Sequence, residues 1–123
     1  MGVNPRLISI FLQEAEVNLG ILSDYCLCRT PLSATGADLK AAYRAAHTLK
    51  GTSQLVHFEG INQVARHIEK MLETHYRQGS EMSRAEHEIL QQVIKLLSTI
   101  VAALKKSEPE SQPLVAAALS LLQ

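Results

Sequence analysis

The sequence predicts an all-α fold: an up-down antiparallel four-helix bundle followed by a short fifth helix. Three observations predict it. Apolar residues recur at three- and four-residue steps through four segments of helical length. The breaks between these segments are short, and short loops between long amphipathic helices favour antiparallel neighbours. No segment shows the apolar–polar alternation of a strand, and the chain carries no internal repeat or low-complexity tract.

The expected helices span residues 5–28, 37–56, 59–78, 84–106 and 113–122, all within one domain over residues 1–123. The first starts at Asn4-Pro5, where Asn can cap free N–H groups and Pro at the first helical position loses nothing. Its inner stripe is Ile8, Phe11, Leu12, Ala15, Leu19, Leu22 and Cys26, and Thr30-Pro31 ends it. Pro31 to Gly36 reads as a loop. The second helix opens near Thr35 and Asp38, a spacing similar to a capping box. Leu39, Ala42, Tyr43, Ala46, Leu49, Ser53 and Val56 form its stripe. The third carries Ile61, Val64, Ala65, Ile68, Leu72 and Tyr76, with Gly79 as its stop. Ser83 and Glu86 form the Ser-x-x-Glu box that opens the fourth, whose inner residues are Leu90, Val93, Leu97, Ile100, Val101 and Leu104. Lys105 and Lys106 stand at its negative dipole end. Glu108 to Pro113 is a linker, and Leu114 to Leu122 forms the last, apolar helix across the bundle.

Composition narrows the function. The 12 Lys and Arg residues balance 12 Asp and Glu, so no strong field holds nucleic acid or an anionic membrane. With no Trp and 4% aromatic residues, base-stacking platforms are not expected. The start of the chain lacks a secretory signal, and no apolar stretch reaches the ~18 residues of a membrane span. Cys26 and Cys28 point to different helix faces and read as reduced thiols of a cytoplasmic protein. The sequence stops abruptly after the fifth helix, as a piece of a longer protein would.

The informative stretch is Ala46-His47-Thr48-Leu49-Lys50-Gly51-Thr52-Ser53. At a helical step of about 100° per residue, His47 falls roughly 110° from the centre of the apolar stripe, at the core edge and facing solvent. A neutral imidazole is a nucleophile near neutral pH, and an exposed one can enter a partner's active site. Lys50 lies one turn on and can balance charge on a group carried by the ring. Gly51 removes a side chain where a partner would approach, although Gly in mid-helix costs ~1 kcal/mol relative to Ala. On the third helix Glu69 falls about 90° from its stripe. In an antiparallel hairpin it can accept a hydrogen bond from Nδ1–H of His47 and leave Nε2 as the nucleophile. Arg44 and Gln54 flank the site. His57, His67, His75 and His87 read as structural or exposed, and their spacing fits no metal site. Ser23, Ser53 and Ser98 have no base partner, and Glu86-His87-Glu88 is too compressed for a metal or acid–base set.

The run from Tyr43 to Ser53 resembles the signature of histidine phosphotransfer domains, and is most similar to those of chemotaxis-type histidine kinases and their pilus-motility relatives. The resemblance extends to Phe11-Leu12-Gln13-Glu14-Ala15 and to the fifth helix. It implies that His47 of His-x-x-Lys-Gly is the phosphoacceptor, with Lys50 and Gly51 on the family's lysine and glycine and Glu69 on the glutamate that bonds the acceptor ring. It implies a phosphocarrier in a two-component relay, passing the group to an aspartate of a response-regulator receiver. The donor is either a histidine kinase catalytic domain, in cis or in trans, or a receiver phospho-aspartate, with Mg²⁺ and ATP supplied by partner domains and no cofactor or metal of the chain's own. The isolated domain is expected to be a cytoplasmic monomer without autonomous catalysis, or the phosphotransfer part of a kinase. The alternative is a degenerate bundle that docks a receiver or kinase without carrying phosphate. Two positions depart from the family. His57 stands where a glycine is frequent, which predicts a different turn between helices two and three. Arg66 stands where chemotaxis-type members carry a histidine, with His67 one place later, so Arg66 is the positive charge offered to a partner.

Overall fold

Asn4 starts the first helix through its side chain, whose Oδ1 accepts the Arg6 amide at 2.8 Å, and Pro5 takes the first helical position. The computed structural model describes residues 3–27 and 36–123. Among them it has five helices and no strand: α1 Pro5–Leu27, α2 Gly36–Leu55, α3 Glu59–Gln78, α4 Arg84–Lys105 and α5 Gln112–Leu122. The bounds of α3, the starts of α1 and α4 and the end of α5 coincide with those expected, and the remaining ends shift by a single residue. Of the expected loop from Pro31 to Gly36, Gly36 instead opens α2, while the rest of it, the Thr35 cap and Cys28 lie outside the described residues.

The helices pack as their stripes dictate. Leu22, Leu49, Ile61, Ile68, Leu72, Leu90, Leu97 and Ile100 are fully buried, each stabilising the fold by roughly 1.5–3 kcal/mol relative to exposure. Helix α1 lies against α2 and α4, α2 against α3, and α5 against α3 and α4. Cross-contacts set two directions. Tyr43 meets Glu73, His47 meets Glu69 and Lys50 meets Asn62, so α2 and α3 run antiparallel. Glu16 meets Lys105 at 2.6 Å and Tyr25 packs on His87 at a centroid distance of 5.1 Å, so α1 and α4 do too.

Two aromatic residues depart from the expected stripes. Tyr43 is half-buried and Tyr76 is 40% exposed, because both rings lie on the seam between α2 and α3 rather than in the core. Ala45 takes a buried place beside Ala46, and Asn18 and Tyr25 join the buried face of α1. Burial pushes the Tyr25 hydroxyl up to about 12. Helix α4 also corrects the expectation that nothing in the chain reaches a membrane-span length. Its 22 residues are long enough, and on average apolar enough, to cross a membrane in spite of internal polar residues. Its apolar face, from Leu90 to Leu104, is buried within the bundle.

The helix ends explain the connections. Helix α2 stops in a Schellman motif: the Phe58 amide donates to the Ser53 carbonyl at 3.0 Å and the His57 amide to Gln54 at 3.2 Å. His57 occupies the left-handed position, with φ 61°. His57 thus makes the left-handed turn that a glycine would make, which corrects the expectation of a different turn between helices two and three. Helix α3 starts without a side-chain cap from Phe58. Glu110 supplies it from the linker before α5, its two carboxylate oxygens accepting the Gly60 and Ile61 amides at 3.0 and 2.9 Å. Val115 of α5 closes over Gly60 so tightly that a Cβ there would lie 2.6 Å from its Cγ2. Helix α4 opens on the expected Ser83–Glu86 capping box.

Candidate functional site

The site forms where α2 and α3 lie side by side. Two turns of α2 present His47, Lys50 and Gly51 along one edge, and α3 presents Glu69 opposite them. Nδ1 of His47 is hydrogen-bonded to Oε2 of Glu69, and Nζ of Lys50 donates to Oε1 of the same carboxylate at 2.7 Å. One carboxylate therefore joins both α2 residues. The side chains differ in depth: His47 is 62% exposed and Glu69 12%. The structure thus brings together the three residues singled out from the sequence, with Glu69 deeper than the core edge expected of it. Burial alone would raise the Glu69 carboxyl, but the Lys50 ammonium and the His47 ring outweigh it and hold the group below the usual carboxylate range.

This geometry has a chemical consequence. With Nδ1–H donating to Glu69, the lone pair of the ring resides on Nε2. The carboxylate also sits where it can balance positive charge developing on the imidazole. Lys50 directs its charge first to Glu69, which refines the expectation that it faces a carried group directly.

The surroundings keep that edge of α2 in place. The Lys50 carbonyl accepts Asn62 Nδ2 from α3 at 2.8 Å and Ser53 Oγ at 3.0 Å. Asn62 was not anticipated; its role depends on a contact across the helix pair that no local pattern marks. Gly51 is exposed, and a Cβ built there would meet nothing within 4 Å. Nothing in the described chain therefore requires glycine at this position. Arg44, Gln54 and Arg66 are exposed. Arg66 stands one turn before Glu69 on α3, and Arg44 lines a groove between α1 and α2 with Ile21 and Thr48. The outer face of α1 adds exposed Leu7, Ile10, Val17 and Ile21, which lie off the inner stripe and so carry no signal in the helical periodicity of the core.

The remaining histidines are apart from this site. His75 links the end of α3 to the start of α4, with Nε2 at 2.9 Å from Glu86 and Nδ1 at 2.9 Å from Ser80 Oγ. Burial raises the Glu86 carboxyl, but the Ser83 amide and His75 outweigh it and hold the group low. His57 and His67 are exposed, and His87 is half-buried beside Tyr25. Among the described residues no group of three His, Cys, Asp or Glu side chains is placed to hold a metal ion.

The family model for the Hpt domain matches residues 6–107, which take in α1 from its second residue, α2 to α4 and all of the site. Among curated proteins none matches the chain. An exposed histidine on a helical hairpin, within a match covering most of the sequence, places the chain in the Hpt domain family, whose members take part in phosphotransfer in two-component signalling.

Proposed function

We propose that the chain is a phosphocarrier that accepts a phosphoryl group on Nε2 of His47 and passes it to an aspartate of a response-regulator receiver. The observation that carries this reading is the pairing of an exposed imidazole with a buried carboxylate at Nδ1, which leaves Nε2 free at the surface. In the first step the Nε2 lone pair attacks phosphorus, the P–N bond forms, and the bond to the donor oxygen breaks. Nδ1 keeps its proton, and Glu69 faces the positive charge of the ring. In the second step the receiver carboxylate attacks phosphorus, the P–N bond breaks, and neutral His47 is restored. Lys50 holds Glu69 ionised and in place. The chain positions the acceptor, while ATP and Mg²⁺ belong to partner domains.

The partner face in this reading centres on Gly51, with Arg44, Gln54 and Arg66 around it and the apolar outer face of α1 beside it. The donor is a histidine kinase catalytic domain, in cis or in trans, or a receiver phospho-aspartate. Similarity of the Tyr43–Ser53 run to chemotaxis-type kinases makes that branch of the family our choice. We take the molecule to be a cytoplasmic monomer whose four long helices form an up-down antiparallel bundle, with α5 part of the same domain.

The test is phosphate incorporation from a cognate kinase and ATP, in the parent and in His47→Gln. The parent should acquire one acid-labile, alkali-stable phosphate, as a phosphoramidate does. His47→Gln should acquire none. Its thermal midpoint should barely move, because an exposed substitution shifts stability by less than ~0.5 kcal/mol. Label that persists in His47→Gln would reassign the acceptor. A parent that binds a receiver but takes no label from any kinase would favour docking without chemistry.

A further inference from the structure

We propose that Tyr43 is a positioning residue for His47, held by Glu73 and Tyr76 so that its ring limits how the acceptor imidazole can turn. The inference rests on the reading of His47 as the acceptor. Tyr43 lies one helical turn before His47, so the two side chains share a face of α2. Their ring centroids are 6.3 Å apart with planes tilted by 33°, within the range in which aromatic pairs attract. A single hydrogen bond through Nδ1 fixes one atom of an exposed ring and leaves it free to swing about that contact. A second contact along the ring's flank removes much of that freedom. Tyr43 suits the task because its ring face offers no group to compete for the Nε2 lone pair.

Tyr43 is itself held from two directions by α3. Its hydroxyl donates to Oε2 of Glu73 at 3.2 Å. Its ring stacks on Tyr76 at a centroid distance of 5.9 Å and an interplanar angle of 13°. Glu73 is in turn fixed by Arg77, whose Nε lies 3.1 Å from Oε1. Burial and the Glu73 carboxylate push the Tyr43 hydroxyl up, so it stays a donor through the pH range in which imidazole acts as a nucleophile. Glu69, Glu73 and Tyr76 follow one another along α3 at four- and three-residue steps. One face of this helix therefore sets both the tautomer and the orientation of the acceptor ring. Tyr76 is 40% exposed, and so is poorly placed to serve the core alone.

The test uses the full chain and phosphoramidate as a small donor, so that no partner surface enters the rate. Nε2 attacks phosphorus, the donor P–N bond breaks, and ammonia leaves. Labelling rates and the ¹⁵N ring shifts of His47 are measured for the parent, Tyr43→Phe and Tyr43→Leu. Tyr43→Leu should label roughly three- to tenfold more slowly, with ring shifts moved toward a mixture of tautomers and an unchanged far-UV spectrum. Tyr43→Phe keeps the ring and loses only the tether to Glu73, so it should recover most of the rate. Parent-like shifts and rate in Tyr43→Leu would overturn the proposal and leave Tyr43 as packing between α2 and α3. If Tyr43→Leu does not fold, the pair Tyr43→Phe with Tyr76→Leu removes tether and stack together and is read by the same two criteria. Label that survives in His47→Gln would mean that the acceptor reading had failed. The His47 ring shifts in the Tyr43 variants would still decide whether Tyr43 positions that ring.

Discussion

Replacing Glu69 with Gln keeps the size of the side chain and one acceptor oxygen, and removes the charge that Lys50 and His47 share. In the parent, Lys50 Nζ lies 2.7 Å from Oε1, with side chains 28% and 12% exposed. An exposed ion pair contributes ~0–1 kcal/mol, and breaking a buried one costs ~3–5 kcal/mol. This pair falls between the two, because Lys50 keeps some access to water. The expected loss at pH 7 is therefore about 1–2 kcal/mol. Its pH dependence has a definite sign. The Glu69 carboxyl is held low in the folded protein. The stabilisation is thus fully present above the unfolded value of ~4.3 and fades as pH falls through the folded one. Urea unfolding of parent and Glu69→Gln from pH 7 into the acid range reads the difference directly, provided the m-values agree. The gap should be open at neutral pH and close in acid. A gap that persists unchanged at low pH, or none at pH 7, would refute the reasoning. The variant should also take up phosphate more slowly without losing it, since Nε2 remains and the Gln oxygen can still accept Nδ1–H.

Two further changes test the frame that carries the site. Glu110→Ala removes the acceptor of the Gly60 and Ile61 amides. It should destabilise the fold by about 1–2 kcal/mol, read as a fall in thermal midpoint, whereas Glu108→Ala on the exposed linker should not. Equal losses in the two variants would remove the capping role. His57→Gly relieves a left-handed residue at φ 61°. Relief of that strain exceeds the added chain entropy of glycine, for a net gain of roughly 0.5–1 kcal/mol. A denaturation midpoint at or below the parent's would show that His57 makes a compensating contact.

Much of this arrangement was legible in the sequence because it is local. The 3.6-residue period located all five helices, and the Ser83–Glu86 box and the Asn4-Pro5 start marked two ends through groups a few residues apart. The pairing of His47 with Glu69 was within reach because two stripes, folded back on each other, bring their edges together. The contacts that escaped connect residues distant along the chain. Glu110 caps a helix that begins 50 residues earlier, and its charge looks like any other in a linker. Tyr43 and Tyr76 were assigned to the core because an aromatic residue on an apolar stripe scores as buried. Only the packing of α2 on α3 shows that their rings lie along the seam, with the Tyr43 hydroxyl facing Glu73. His57 shows the converse. A missing glycine predicted a changed turn, and the backbone instead adopts the same left-handed geometry with a side chain that tolerates it poorly.

The cap from Glu110 also bears on how this unit can be excised or fused. The match to the family model ends at residue 107, and a designer guided by that limit would cut there. The cut would strip the carboxylate from the start of α3 and lift Val115 off Gly60. Two backbone amides and a patch of apolar surface would then face water, at one end of the helix that holds Glu69. The contacts that hold the start of α3 thus reach beyond residue 107. Position 60 is where that seating is felt: a Cβ there would press on Val115 and Glu110 together, so a larger residue at 60 would have to push back both the fifth helix and the cap.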